Sequence, residues 1–172
     1  GILMTVIAAY NGTSSFVFGA DTGVDYGDCR MTTCEDKIRK EHNWIIGMAG
    51  DGSAIVKIEF HPEAFKTDSI KSVTEAMHDI LDDALGEDKD FLAILANTKT
   101  GEMFAMDSYL YPQAIPSGNF WAVGSGGVMA IGAMAVMPLP LDRGMMDQVV
   151  EACIKYSPQC AGHPVSKVFF KA

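Results

Sequence analysis

Two apolar runs that meet at Asn11-Gly12 constrain this chain more than any other feature. Ile2–Tyr10 is rich in β-formers and Phe16–Ala20 is a second apolar run. Asn-Gly between such runs is the strongest short signal for a tight hairpin turn, so the chain is expected to open as strand, turn, strand. Thr22–Thr33 is polar and reads as a loop ending near Cys34–Ile38. Trp44–Ala49 is a further buried strand. The charged stretch Arg39–Asn43 separates it from Ile38, which suggests a second hairpin.

Helices follow in pairs. Asp51 can cap a helix over Ser53–Phe60, and Pro62 helps to end it. From Ser69 to Leu85 the residues Ile70, Val73, Met77, Ile80, Leu81 and Ala84 recur at helical spacing, and Gly86 closes the element. The opposite face carries Lys71, Glu75, Asp79, Asp82 and Asp83, most simply a solvated stripe. Phe91–Ala96 and Glu102–Asp107 read as strands around a Thr100-Gly101 turn, Ser108–Asn119 as loop, and Phe120–Val123 as strand. Gly126–Met137 is apolar all round, which predicts a helix covered on every side. Pro138 and Pro140 break it. Asp142 then caps a last helix to Tyr156 with Met145, Val149, Ala152 and Cys153 inward, and Val165–Phe170 is the terminal strand. Two runs of strands and two helix pairs give an α+β fold with two sheets face to face and a helix layer outside each.

Composition narrows the function classes. The 172 residues are expected to form one domain over 1–172, and 48% hydrophobic content excludes a disordered chain. A net charge of -9 argues against nucleic acid or an anionic membrane surface as partner. No apolar run reaches the ~18–20 residues that span a bilayer, and no charged leader with a cleavage site is visible. Cys29, Cys34, Cys153 and Cys160 lack paired metal-ligand spacing and read as free thiols of a reducing, cytoplasmic compartment. His42, His61, His78 and His163 show no ligand spacing either, so neither metal nor cofactor is expected. Gly124-Ser125-Gly126-Gly127 lacks the Lys and Ser/Thr of a phosphate loop.

Four short pieces point to one chemistry. Thr5-Val6-Ile7-Ala8-Ala9 fits the pattern Thr-x-[Ile/Leu/Val]-x-Ala; Asp21 lies sixteen residues after Thr5, and Lys37 sixteen after Asp21. Met48-Ala49-Gly50 and Gly124-Ser125-Gly126-Gly127 complete the set. With these the chain resembles the proteasome-type N-terminal-nucleophile hydrolases: the 20S proteasome β subunits, the peptidase subunit HslV and, most nearly, their phage and prophage relatives. The resemblance runs from Thr5 to about Phe170 and implies the four-layer αββα sandwich.

A Thr hydroxyl needs an adjacent base. The resemblance assigns Thr5 as nucleophile and its own free α-amine, with a reference pKa of about 7.7–8.0, as that base. It assigns Lys37 to supply positive charge beside both groups, Asp21 to pair with Lys37, and the Gly50 N–H to stabilise an oxyanion. Ser125 would hydrogen-bond near the amine, or serve as an N-cap. Met48 would line the first side-chain pocket, or fill core. Asp25 takes the place of a Ser or Thr that helps to hold the substrate strand. Ser157 and Cys160 stand where relatives carry an amine-orienting Asp and a hydroxyl residue. Val6 takes the place of a small hydroxyl residue. Gly1–Met4 reads as a leader or tag remnant, and removal of Met4 would expose the amine of Thr5.

The implied activity is that of a threonine endopeptidase within a self-compartmentalised protease. The implied partners are copies of the chain in a hexameric or dodecameric ring, an HslU-like AAA+ unfoldase, and peptide or protein substrates. A second reading is a catalytically silent assembly subunit on the same fold, favoured by Ser157 in place of the Asp. A third, on fold analogy alone, is a small-molecule amidase.

Overall fold

The structure, a computed structural model, describes residues 2–3, 5–26, 29–31, 36–81 and 90–172. The chain begins with β1 (Ile2–Leu3), followed by the hairpins β2 (Ile7–Asn11) with β3 (Ser15–Ala20), β4 (Val24–Tyr26) with β5 (Cys29–Met31), and β6 (Ile38–Glu41) with β7 (Trp44–Asp51). Helix α1 (Gly52–Glu59), a 3-10 turn at Pro62–Phe65 and α2 (Ile70–Leu81) come next. Strands β8 (Phe91–Asn97), β9 (Met103–Met106), β10 (Gln113–Ala114) and β11 (Phe120–Val123) precede α3 (Gly127–Ala135), α4 (Arg143–Tyr156) and β12 (Val165–Phe170).

All strand pairs are antiparallel. One large sheet runs β1-β7-β8-β9-β10 with β6 also on β7, the other runs β11-β2-β3-β12, and β4-β5 form a separate two-stranded ribbon. The alternation of side chains along each strand sorts the apolar residues into three cores. Ile7 and Ala9 of β2, Ile45 and Ala49 of β7, and Ile94 and Ala96 of β8 meet between the sheets. The alternate residues Trp44, Ile46 and Met48, with Phe91, Ala93 and Leu95, pack beneath α1 and α2. Val6, Ala8 and Tyr10 pack beneath α3 and α4, against Met146, Val149, Val150 and Cys153. The runs of β2, β3, β7 and β8 are apolar without alternation because these strands are covered on both faces, as the four-layer αββα sandwich requires.

Several boundaries differ from the sequence reading. Ile2–Tyr10 is not one strand: β1 pairs with β7, Leu3 opposite Gly50, whereas β2 begins at Ile7 in the other sheet. The break falls at Thr5 and Val6, where the Asp21 side chain accepts from the Val6 N–H and the Thr5 carbonyl accepts from Gly126 N–H. Those groups are therefore withdrawn from the ladder. The charged stretch after Ile38 is strand, not connection, because β6 is an edge strand on which Arg39 and Lys40 are tolerated. Short strands β4, β5 and β10 occupy segments read as loop.

The helices keep their expected caps. Asp51 accepts from Ser53 N at 2.8 Å, and Asp142 from Met145 N at 2.8 Å. Helix α2 is described to Leu81, so Ala84, Gly86 and part of the acidic stripe lie outside the described residues. In α4 the fully buried positions are Met146, Val149, Val150 and Cys153; Met145 and Ala152 are only half-buried. Helix α3 is the clearest correction. Only Gly127, Ala130 and Met134 are buried, while Val128 and Val136, at 86% and 85% exposure, face outward.

Candidate active site

Thr5 sits between the two sheets where the chain passes from β1 to β2. Its side chain is fully buried. The hydroxyl donates to Asp21 Oδ1 at 2.5 Å and accepts from Lys37 Nζ. Lys37 also donates to Asp21 Oδ1 at 2.8 Å and to the Gly23 carbonyl at 2.5 Å. An ammonium has three donors and no acceptor, and these partners match them. Asp21 follows the end of β3, and Lys37 precedes β6 by one residue, so two hairpins bring the pair beneath Thr5.

The ion pair is dry: the Lys37 and Asp21 side chains are 4% and 0% exposed. Asp21 is held from several directions, with Oδ1 accepting from Val6 N at 3.1 Å and Oδ2 from Ala161 N at 3.0 Å. Asp21 thus accepts from two backbone N–H groups as well as from the Lys37 ammonium, which fixes the geometry of the pair. The result is a hydroxyl whose proton is directed at a carboxylate and whose lone pair faces a cation. Such a hydroxyl can pass to an alkoxide with the charge stabilised at once.

The backbone of Thr5 is fixed from the other sheet edge. Its N–H donates to Ser125 Oγ at 3.2 Å, and its carbonyl accepts from Gly126 N at 3.2 Å. Ser125 does not cap α3 through its side chain; Gly126 is the N-cap residue. Gly124, at φ +95°, allows this approach, since a Cβ there would lie 2.3 Å from the Thr5 carbonyl oxygen. Gly50, the next-to-last residue of β7, has φ +110°, and a Cβ there would meet the Asp90 carbonyl at 2.3 Å. It lies between β1 and β8, opposite Leu3 and Phe91.

The remaining sequence candidates are placed differently. Met48 is 5% exposed and packs in the core beneath α1 and α2, away from solvent. The backbone of Asp25 pairs with Arg30 in the β4–β5 hairpin, and its side chain lies outside the described residues. Ser157 is buried and caps the C-terminus of α4, its N–H donating to the Cys153 carbonyl at 2.8 Å; its carbonyl accepts from Cys160 N at 3.2 Å. Cys160 is 3% exposed, and its sulfur lies where a Cβ on Gly126 would fall, 2.6 Å from that position. The turn after α4 thus supports the site from behind.

Three contributors carried no sequence signal. Gly23 and Ala161 act through backbone groups, which any residue supplies, and the two segments are joined because Gly23 N donates to the Ala161 carbonyl at 2.9 Å. Cys153 donates to the Gly126 carbonyl at 3.7 Å, linking α4 to the start of α3. Burial pushes its thiol up to about 12, with Cys160 and Asp21 adding to the rise, so it is neutral and inert near pH 7. Among the described residues no group of three or more His, Cys, Asp or Glu side chains gathers to hold a metal, and no helix is long and apolar enough to cross a membrane.

No family model and no curated protein sequence matches this chain. Solved structures nevertheless share its fold, which is the two-sheet, four-helix sandwich of HslV-like, proteasome-type proteins. The chain is similar to BPH of Thiobacillus denitrificans, with a TM-score of 0.79 at 17% identity over 97% of this chain and 98% of that one. The same protein in complex with epoxomicin gives a TM-score of 0.76 at 16% identity, over 97% and 99%. HslV from Trypanosoma brucei gives 0.72 at 16% identity, over 95% and 98%.

Proposed function

We propose that this chain is a threonine peptidase that cleaves peptide bonds with Thr5 as an N-terminal nucleophile. The observation that carries this reading is the Thr5 hydroxyl held between Lys37 Nζ and Asp21, with Thr5 N against the Ser125 hydroxyl. In the sequence as given, Thr5 N belongs to a peptide bond with Met4. Cleavage of that bond frees the amine as general base.

The amine then takes the Oγ proton as Oγ attacks the substrate carbonyl, and Lys37 stabilises the charge on Oγ. The Gly50 N–H faces the resulting oxyanion. Collapse breaks the C–N bond, the α-ammonium returns its proton to the leaving amine, and water hydrolyses the ester on Thr5. An extended substrate fits as an added strand: β1 already pairs antiparallel with β7 across Gly50 and Asp51. One neighbour in fold binds epoxomicin, which supports a ligand in the corresponding cleft.

The test is a chain verified by mass to begin at Thr5, assayed with fluorogenic peptides carrying apolar residues. Thr5→Ala is expected to lower kcat/KM by ~10³-fold or more. Equal rates for both proteins rule the peptidase out. That outcome would favour the second reading, a silent assembly subunit, which Ser157 in place of a carboxylate supports.

Assembly with other copies into a ring belongs to the same proposal, with an HslU-like unfoldase as the partner that feeds it. The exposed apolar side chains Val128, Val136 and Leu139 on and after α3 are the kind of patch that contacts cover. Light scattering at micromolar concentration is expected to give a multiple of 18.5 kDa, reduced in Val136→Glu. A stable monomer contradicts the ring.

A further inference from the structure

We propose that the groove at the open edge of the sandwich, between β9–β10 and β11, receives the first residue on the leaving-group side of the cleaved bond and favours a large apolar or aromatic side chain there. This rests on the peptidase reading above. The groove encloses about 650 Å³ and is walled by Leu92, Ala105, Tyr111, Ile115, Trp121 and Val123. That volume suits a single bulky side chain with its flanking backbone. Asp107 is the charged residue of its lining, which disfavours an acidic side chain.

Register ties the groove to the reacting atoms. Val123 ends β11 and immediately precedes Gly124-Ser125, and Ser125 Oγ is the acceptor for Thr5 N at 3.2 Å. Leu92 pairs across β8 with Ala49, the residue before Gly50. The wall thus adjoins the Ser125 segment, which contacts Thr5, and the end of β7 on which β1 pairs. In sheet order, β1 and the groove lie on opposite sides of β7, with β8 and β9 leading to the groove. A substrate whose acyl portion takes the β1 edge therefore has its departing portion on the Ser125 side. The α-ammonium gives up its proton on that side, so the leaving amine is protonated at the mouth of the groove.

Trp121 and Tyr111 give the groove its selectivity. They are 45% and 76% exposed, unusual for side chains of this area. Trp121 shares the inner face of β11 with Val123, the face that closes on the inter-sheet core. An aromatic ring of the substrate would stack where these rings now meet water.

The experiment has two arms. In the first, two internally quenched peptides differing only in Phe or Ala after the cleaved bond are compared on the chain beginning at Thr5. Phe is expected to be favoured ~10-fold or more in kcat/KM, and the ratio is expected to fall towards one in Trp121→Ala and in Tyr111→Ala. The second arm needs no catalysis. The chain has two tryptophans, and Trp44 is fully buried, so a change in emission on adding L-phenylalaninamide reports Trp121. A saturable change, absent with glutamic acid amide and lost in Trp121→Phe, is expected. Cleavage with no Phe preference, or a preference that both substitutions leave intact, overturns the groove assignment while the peptidase stands. Absent cleavage with the emission change retained overturns the peptidase reading and the leaving-side role together. An emission that responds to protein concentration and not to the amide shows the groove filled by a second copy, and overturns it as well.

Discussion

Asp21→Ala is expected to lower the unfolding free energy by roughly 3–5 kcal/mol and to abolish peptide hydrolysis. Lys37 and Asp21 are both shielded from water, so removing the carboxylate takes away the counter-charge 2.8 Å from the Lys37 ammonium. The Val6 and Ala161 N–H groups lose their acceptor in the same step. Lys37→Met is expected to cost less, because Asp21 retains its donors from Thr5, Val6 and Ala161. The double variant Asp21→Ala/Lys37→Met should recover part of the loss and not all of it: the stranded charge is gone, but the two N–H groups remain unpaired. Urea denaturation of the three proteins decides the order. A cost for Asp21→Ala below about 1 kcal/mol, the range of an exposed pair, would show that the pair is solvated.

Gly124→Ala is expected to cost roughly 2–6 kcal/mol, about 1–3 from the backbone conformation and about 1–3 from overpacking. The new methyl would stand 2.3 Å from the Thr5 carbonyl oxygen and 3.0 Å from its carbon. That carbonyl cannot swing clear without giving up its bond from Gly126 N. The strain therefore passes to Thr5, and a displacement on the order of 1 Å at a nucleophile costs ~10²-fold in rate. Gly118→Ala is the control. It has φ +86° and no neighbour within 4 Å of an added Cβ, so it carries the conformational cost alone and leaves the rate unchanged. Equal stability losses in the two variants would remove the clash from the explanation.

Much of the fold was legible because burial writes itself into strand composition. The Asn11-Gly12 hairpin, the buried runs of β7 and β8, β11 at Phe120–Val123 and the Asp142 cap all appear in the chain as the sequence suggests. The failures share a cause. Helix α3 is apolar all round, and composition cannot say which of its faces a neighbour covers. The first strand looked continuous because Thr5 and Val6 are good β-formers. A side chain sixteen residues away decides otherwise, and local propensity cannot see it.

The site divides along the same line. Thr5, Asp21, Lys37 and Ser125 are chemically distinctive side chains, and spacing plus a family resemblance singled them out; the structure brings these four together. Gly23 and Ala161 contribute only backbone groups, and the Gly124 approach depends on a positive φ. The Gly124-Ser125-Gly126-Gly127 run marked the segment without showing that approach, and Gly23 and Ala161 have no signature in a single sequence. Met48 was ambiguous because β7 is covered on both faces, so an apolar residue there fills core on one side or the other.

The most direct test of Thr5 as nucleophile is the mass of the chain beginning at Thr5 after incubation with epoxomicin, followed by peptide mapping. One inhibitor per chain, located on Thr5 and missing in Thr5→Ala, is the expected result. An unmodified chain with Thr5 verified as its first residue, or an adduct that persists in Thr5→Ala, would contradict it.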